Sequence, residues 1–222
     1  MVKIAILMKR RAGLSVEDFQ DHLQTRYGPL AARGPGLRRY LQSCALPQGY
    51  AKGDLLFDAI GELWFDSLDD YQRCLRSTEF AAAREDEDTF IERARTVTMP
   101  VDVHVIKDGA VPANAVKNIE FVNRRTGMAL EPFRSYWRNV HGPLAAKISS
   151  IRRYEQNHLA LGEYQNDASP PYDGLAITWF ASTAEMRSGA ATAEYAATRA
   201  DEAHFLPEGH LPIIITREHV VL

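Results

Sequence analysis

The feature that most constrains the fold of this chain is an internal duplication. Residues 2–44 align without a gap on residues 116–158, at a constant offset of 114, and 16 of the 43 aligned residues are identical. After a one-residue insertion, the matches continue at an offset of 115 as far as His104 and His219. Each half is one copy of a unit of roughly 100 residues, which is large enough to hold a hydrophobic core. The sequence therefore predicts two domains, residues 1–110 and residues 116–222.

Each copy has the pattern strand, helix, strand, strand, helix, strand. Ser15 and Ser67 precede the two helices of the first copy as N-cap residues, and Ser182 with Glu185 forms a capping-box pattern in the second. This β-α-β-β-α-β order is the ferredoxin-like unit, whose helices cover only one face of the sheet. We expect an α+β fold in which the two ferredoxin-like repeats form an intrachain pseudo-dimeric α+β barrel. Two separate ferredoxin-like domains are the alternative.

Composition and charge exclude several classes of protein. The chain is 45% hydrophobic and 25% charged, with a formal net charge of -3 and a sequence pI of about 6.2. Such a balance is ordinary for a globular protein and gives no basic surface for nucleic acid. The apolar run at the N-terminus is too short to span a bilayer and lacks the pattern of a signal peptide, so we expect a cytoplasmic protein. With only Cys44 and Cys74 present, we expect buried thiols rather than disulfides or a thiolate metal site.

The duplicated segments Phe19–Leu30 and Phe133–Leu144 each predict a helix that runs into the sequence Gly-Pro-Leu-Ala-Ala. We expect each helix to stop at Gly-Pro, because Pro cannot continue a helix and Gly tolerates the left-handed turn that ends one. The residue before Gly-Pro differs between the copies: it is Tyr27 in the first and His141 in the second.

Three residues of the second copy, Phe133, Trp137 and His141, are spaced by four and lie in one row on the predicted helix. Arg134 and Arg138 lie beside this row, so the row should face the interior. An imidazole suits proton transfer near neutral pH. The last turn of a helix favours a protonated His, hence a proton donor. A simple helix-capping role for His141 is the alternative.

The helix motif F-x-x-Y-W-x-x-x-H-G-P-L after a strand, with a further strand beginning near Tyr154, resembles the EthD-like family of the dimeric α+β barrel superfamily, here as a tandem fusion of two copies. The resemblance implies a ferredoxin-like barrel without metal or flavin. Proteins of this kind are associated with ether-degradation operons, and related barrels act as cofactor-independent lyases, cyclases, decarboxylases, isomerases or oxygenases on aromatic, polyketide or lactone substrates. The family's His corresponds to His141, whereas the first copy departs from the motif at Tyr27.

The second copy also carries the more polar set of candidate residues. On its first strand, the apolar row of the first copy is replaced by Asn118 and Glu120, and a buried Glu needs a partner or a raised pKa. On its second strand, Tyr154 and His158 share a face. We predict the catalytic candidates to be His141, Tyr136, Glu120 and His158. We predict substrate contacts from Trp137, Asn118 and Tyr154. A buried structural His is the alternative for His158, and a strand edge or salt bridge is the alternative for Glu120.

Two further sets of residues are interpreted as structural. Arg84 with Asp86, and Arg199 with Asp201, recur two residues apart after the second helix, and each predicts an ion pair or loop clamp. His204 and His210 lie with Glu202 and Glu208 in a loop-like tract that matches no metal-ligand spacing. The chain also lacks the G-x-G-x-x-G, P-loop, G-x-S-x-G and C-x-x-C motifs. We therefore expect no metal and no nucleotide cofactor.

These observations favour a cofactor-independent enzyme that acts by acid–base chemistry on a small cyclic, aromatic or polyketide-like substrate in the second repeat. Decarboxylation, dehydration, cyclisation and isomerisation all need only a positioned proton donor and acceptor. The second hypothesis is a non-catalytic protein that binds a hydrophobic metabolite in a degradation pathway. The third is a haem-linked barrel monooxygenase, which would need His141 or His158 to face a flat cavity. We expect a small-molecule partner, no nucleic acid and no membrane, and a monomeric pseudo-dimer or a homodimer.

Overall fold

A computed structural model describes residues 1–167 and 169–222. Two compact units divide the chain: residues 1–101 with residues 216–222, and residues 102–215. Among the described residues, no helix is long and apolar enough to cross a membrane.

The first unit contains one complete repeat. Its elements are β1 (Val2–Met8), α1 (Val16–His22), a π-helical turn (Leu23–Tyr27), α2 (Gly28–Ala31), β2 (Leu37–Ala45), β3 (Ala59–Phe65), α3 (Leu68–Arg76), α4 (Ala81–Phe90) and the start of β4 (Val97–Lys107). Short 3-10 helices lie at Pro47–Lys52 and Arg93–Arg95.

The second unit repeats this order. Its elements are β5 (Val116–Val122), α5 (Leu130–Tyr136), a π-helical turn (Trp137–His141), α6 (Gly142–Ala145), β6 (Arg153–Leu159), β7 (Gly174–Phe180), α7 (Thr183–Gly189), α8 (Ala193–Asp201) and the start of β8 (Ile213–Val220). Its 3-10 helices lie at Leu161–Asp167 and Glu202–His204.

The strand pairing confirms the predicted fold. In the first unit β1 pairs with β3 and β4, and β2 pairs with β3 and β8, all antiparallel. In the second unit β7 pairs with β5 and β6, also antiparallel. Each unit thus has the antiparallel pairing of a ferredoxin-like sheet, and the fold is α+β with two ferredoxin-like repeats.

Serine N-caps begin the helices as predicted. The Ser15 hydroxyl accepts a hydrogen bond from the Asp18 backbone N–H, and Ser67 does the same for Asp70. The helix predicted after Ser67, however, is two helices, α3 and α4. Ser77 interrupts it: its backbone is extended, and its hydroxyl accepts a hydrogen bond from the Phe80 N–H just before α4.

The prediction that the first helix stops at Gly-Pro is wrong in both copies. Gly28 and Gly142 have right-handed helical backbone angles, and the helix continues through α2 and α6. A π-helical turn precedes each Gly, and the N–H of Gly28 bonds to the Leu23 carbonyl five residues back. The Pro enters at the start of the following helical turn, where its missing N–H is tolerated.

The glycine has a steric role here rather than a conformational one. A Cβ on Gly28 would lie 3.0 Å from Gln42 Nε2, and a Cβ on Gly142 would lie 3.0 Å from Gln156 Nε2. Each Gln amide donates a hydrogen bond to the carbonyl at the start of the π-turn, Leu23 in one repeat and Trp137 in the other. The recurrence of Gly and Gln in both copies therefore fixes the π-turn against β2 and β6.

The buried face of each first helix follows the predicted row. Phe133 is fully buried, Trp137 is 1% exposed and His141 is 7% exposed. The matching residues Phe19, Leu23 and Tyr27 belong to the core of the first unit. Cys44 and Cys74 are both buried free thiols, as the sequence predicts.

Candidate functional site

The second unit contains a cavity of about 240 Å³ between its sheet and its helices. Strands β5 and β7 form one wall, and the π-turn with α7 and α8 forms the other. Most of the lining is apolar. The polar or titratable side chains in the lining include Asn118, Glu120, His141, Ser150, Thr178, Arg199 and Glu202.

His141 is the last residue of the π-turn, and the turn directs its ring into this cavity. Its Nδ1 lies 2.9 Å from Oδ2 of Asp201, the last residue of α8. The two side chains are 9% and 10% exposed, and Phe205 packs against the imidazole with 4.7 Å between ring centroids. Because the Asp201 carboxylate can only accept, the proton of the neutral His141 ring is assigned to Nδ1. Nε2 is then the nitrogen of His141 that can take up a proton.

Burial dominates the electrostatics of His141. It lowers the pKa of the imidazole, and the hydrogen bond and charge of Asp201 oppose this only in part. The helix end that was expected to favour a protonated His is not there, because α6 continues the helix beyond His141. The neutral ring is therefore the main form near pH 7, which suits a proton acceptor.

Tyr136 contacts the same carboxylate from outside the cavity. Its hydroxyl donates to Oδ1 of Asp201 over 2.7 Å, and its ring packs on Phe205 and His204. The hydrogen bond to Asp201 is the largest influence that raises the pKa of Tyr136, to about 12. Tyr136 does not line the cavity. Tyr136 and His141 are thus linked indirectly, because both side chains contact the Asp201 carboxylate.

Glu120 and Asn118 lie on β5 and face the cavity together. Asn118 Nδ2 donates to Glu120 Oε1 over 2.9 Å. Burial raises the pKa of Glu120, and the bond from Asn118 opposes the rise. The amide nitrogen of Asn118 is occupied by this bond, so only its oxygen is available to a ligand. This oxygen, Oδ1, is buried without a hydrogen-bond partner in the described part of the chain.

A second carboxyl group, Glu202, reaches the cavity just after α8. Its side chain pairs with Arg199 at 2.5 Å and is 14% exposed. Burial raises the pKa of Glu202 to about 7; Arg199 lowers it, and the nearby charge of Glu120 raises it. The cavity thus holds a neutral His and two carboxyl groups whose pKa values burial raises, which is a set suited to proton transfer.

The predicted recurrent ion pairs do not form. Arg199 pairs with Glu202, and Asp201 is used by His141 and Tyr136. In the first repeat, Arg84 donates to the backbone carbonyl groups of α3 and its end, while Asp86 pairs with His22 and Arg26. An Arg and an Asp two residues apart near the end of a helix point in different directions, so they reach different partners.

His158 lies in the protein core behind the cavity rather than in its lining. Its ring stacks on Trp137 with 4.3 Å between ring centroids, and its Nε2 lies 3.1 Å from Gln156 Oε1. Gln156 also donates to the Tyr154 hydroxyl over 3.0 Å. Burial drives the pKa of His158 far below its ordinary value, so its ring stays neutral. The predicted contact residues Trp137 and Tyr154 do line the cavity.

The tract around His204 and His210 forms other contacts. His204 Nδ1 lies 2.9 Å from the Asp201 carbonyl oxygen, and Arg199 lies 2.9 Å from His210 Nδ1. Within residues 1–167 and 169–222, no group of three or more His, Cys, Asp or Glu side chains could hold a metal ion.

The residues do not fit a haem. The ring of His158 is stacked on Trp137 and does not line the cavity. His141 faces a space of about 240 Å³, whereas pockets for drug-sized ligands span roughly 300–1,000 Å³. A porphyrin is larger than such ligands, so this cavity cannot seat one beside His141.

Asp201, Glu202 and Arg199 are site residues that the sequence pattern indicated only as structural. The contact between His141 and Asp201 spans 60 residues, so no local spacing reveals it. One signal was present: Arg199, Asp201 and Glu202 all recur as Arg84, Asp86 and Glu87 in the first copy.

Comparison with solved structures supports the fold. The chain is similar to an anthrone oxidase-like protein, with 9% identity, a TM-score of 0.66, and coverage of 99% of this chain and 93% of the other. It is similar to a candidate monooxygenase from Lactobacillus acidophilus NCFM, with 10% identity, a TM-score of 0.59, and coverage of 98% and 93%. A mutant chlorite dismutase from Candidatus Nitrospira defluvii gives 9% identity, a TM-score of 0.52, and coverage of 97% and 90%. At this identity the likeness concerns the fold alone.

Sequence comparison identifies the family. No curated protein matches the chain with significant similarity. The EthD domain model matches twice, at residues 11–94 and at residues 125–208, which together make up more than half of the chain. The chain is therefore a member of the EthD family that carries two EthD domains in tandem.

Proposed function

We propose that this protein is a cofactor-independent acid–base enzyme that acts on a small ring compound in the cavity of the second repeat. One observation carries the proposal: His141, oriented by Asp201 and neutral near pH 7, faces an apolar cavity of about 240 Å³. His141 acts as the general base. Asp201 holds its tautomer, and Tyr136 positions Asp201.

Size and lining support a ring as substrate. An apolar cavity of about 150 Å³ can hold one benzene molecule, so a cavity of about 240 Å³ has room for one ring with a few substituents. Trp137 and Tyr154 supply aromatic contact area, and Asn118 supplies a hydrogen-bond acceptor. Decarboxylation, dehydration and isomerisation of such a ring, and a cyclisation that forms one, all need only a positioned proton donor and acceptor.

The proton donor in this proposal is one of the two carboxyl groups. Glu120 and Glu202 both line the cavity, and burial favours the protonated form of each. Raised pKa values move the two carboxyl groups towards neutrality, as a general acid requires, while the lowered pKa of His141 keeps its ring neutral and able to accept a proton. His158 takes no part in proton transfer here; it supports Trp137 by stacking. We place the enzyme in the cytoplasm.

Oligomeric state is part of the proposal. Two ferredoxin-like repeats lie in this one chain. A single chain can therefore act as a monomeric pseudo-dimer, and a homodimer of whole chains is the alternative.

A proton-exchange assay tests the proposed activity with a panel of compounds from the expected substrate class. The protein is incubated in D₂O with cyclic ketones, unsaturated lactones and hydroxylated aromatic compounds of one ring, and ¹H NMR follows exchange at the acidic carbon. We expect exchange above the buffer rate for at least one compound, and a loss of about 10²-fold or more in His141→Gln.

The control is His22→Gln, which removes a His that pairs with an Asp in the first repeat but lines neither cavity. This variant should retain the full rate. Equal exchange by wild type and His141→Gln would disprove the role of His141. Saturable binding with no exchange above the buffer rate would instead support the alternative, a protein that binds a hydrophobic metabolite without chemistry.

A further inference from the structure

The first repeat has a cavity of its own. It also measures about 240 Å³ and lies between β1 and β3 on one side and the π-turn with α3 and α4 on the other. The position is the same as in the second repeat, since Met8 and Tyr27 of the first lining match Val122 and His141 of the second. The duplication has therefore kept the space while changing the side chains around it.

Two of the three acid–base groups of the second repeat have no counterparts in this lining; the third, Glu202, is matched by Glu87, which accepts a hydrogen bond from Tyr27. Ile6 stands where the second repeat has Glu120, and Tyr27 stands where it has His141. Asp86, the counterpart of Asp201, is turned to His22 and Arg26 instead. The cavity can hold a small molecule, but it lacks the neutral His base that the proposed chemistry uses.

One end of the cavity is polar and has a defined hydrogen-bonding direction. The Tyr27 hydroxyl donates to Glu87 Oε1 over 2.9 Å, and Arg93 pairs with Glu87 Oε2 at 3.2 Å. Because its proton is directed at Glu87, the Tyr27 oxygen can offer a ligand only its lone pairs. A ligand therefore needs a hydrogen-bond donor at this end and an apolar body elsewhere.

We propose that the first repeat contains a second, non-catalytic binding site for a neutral hydroxylated ring compound, whose hydroxyl donates to the Tyr27 oxygen. The apolar body of the ligand lies against Ile6, Met8 and Leu63, which line the rest of the cavity. This site is separate from the proposed reaction at His141 and does not depend on it.

Two methionine methyl groups report on the two cavities independently. Met8 lines the cavity of the first repeat and Met186 lines that of the second. The full chain, labelled with ¹³C at the methionine methyl groups, is titrated with 4-methylphenol and, separately, with 4-methylanisole, which has the same ring but no donor. We expect a saturable shift of the Met8 signal with 4-methylphenol and weaker binding of 4-methylanisole.

Two variants assign the Met8 response. Tyr27→Phe removes the acceptor, so binding of 4-methylphenol at Met8 should weaken about 2- to 10-fold while binding of 4-methylanisole stays the same. Ile6→Phe fills the cavity, so the Met8 response should disappear while the Met186 signal behaves as in wild type. Circular dichroism confirms that each variant is folded.

Either of two results would overturn the proposal. The first is a Met8 signal that does not move with 4-methylphenol, whatever the Met186 signal does. The second is a Met8 response that survives Ile6→Phe in the folded protein, because the shift would then arise elsewhere.

Discussion

Glu202 should make the stability of the protein depend on pH in an unusual direction. Burial raises the pKa of this carboxyl group from an ordinary value of 4.5 to about 7. Below pH 4.5 the group is protonated in both the folded and the unfolded state. As pH rises through 7, the folded protein must bury a charge that the unfolded chain already carries in water, and stability is lost. The difference between the two pKa values corresponds to about 3 kcal/mol.

The substitution Glu202→Gln tests this reasoning, because Gln keeps the shape of the side chain and does not titrate. The free energy of unfolding is measured by urea denaturation of wild type and variant between pH 4.5 and 8, and the wild-type value is subtracted at each pH. Groups that do not interact with Glu202 cancel in this difference. We expect the difference to become more favourable to the variant by about 3 kcal/mol over the range. A difference that is constant with pH would refute the assignment of a raised pKa to Glu202.

Three further predictions follow from contacts described above. Gln156→Met removes three buried hydrogen bonds and Gln42→Met removes two. At about 1 kcal/mol for each bond, Gln156→Met should lower the free energy of unfolding in urea by about 1 kcal/mol more than Gln42→Met. Equal losses in the two variants would contradict the proposed hydrogen-bond network. Asp201→Asn removes the charge that helps to raise the pKa of His141 and can present an amide N–H to Nδ1, which favours the wrong tautomer, so NMR titration should give a lower pKa and proton exchange should fall by about tenfold or more. Gly142→Ala brings a Cβ within 3.0 Å of Gln156 Nε2 and should cost about 1–3 kcal/mol in thermal unfolding. Its control, Gly162→Ala, meets no atom within 4 Å and should be near neutral.

The fold could be predicted from the sequence because a duplication is a global signal. Once the two copies are aligned, one element order serves both, and a unit with one uncovered sheet face implies a partner for that face. Serine caps located helix starts for a different reason, because a cap depends on only three or four residues of chain.

The helix ends could not be predicted in this way. Gly28-Pro29 has the composition of a helix stop, but the π-turn before it changes which N–H groups need partners. That turn is held by Gln42, from a strand that follows later in the chain. A Gly-Pro sequence is compatible both with a helix that stops and with a helix that continues. The tertiary contact with Gln42 selects the helix that continues.

The candidate site was predicted in part. The row that contains Trp137 and His141 was identified from its spacing, and the structure places both residues at one cavity. The partner Asp201 comes from a helix 60 residues away, and its role depends on which way a side chain turns at the end of α8. Burial then reversed the expected charge preference of His141, because desolvation outweighs the hydrogen bond and charge of Asp201 and because the helix continues beyond His141.

The π-helical turn also says something about the history of the protein. It lies at the same position in both repeats, before the same Gly-Pro sequence, so the ancestral single domain already had it when the gene was duplicated. In an α-helix, residues four apart drift by about 40° at each step, whereas the wider turn corrects this drift and keeps position 27 or 141 directed inward. After duplication, each copy could therefore acquire a different side chain at an orientation that was already fixed. Divergence at this position and around the cavities required substitutions, while the π-helical turn itself was kept in both halves.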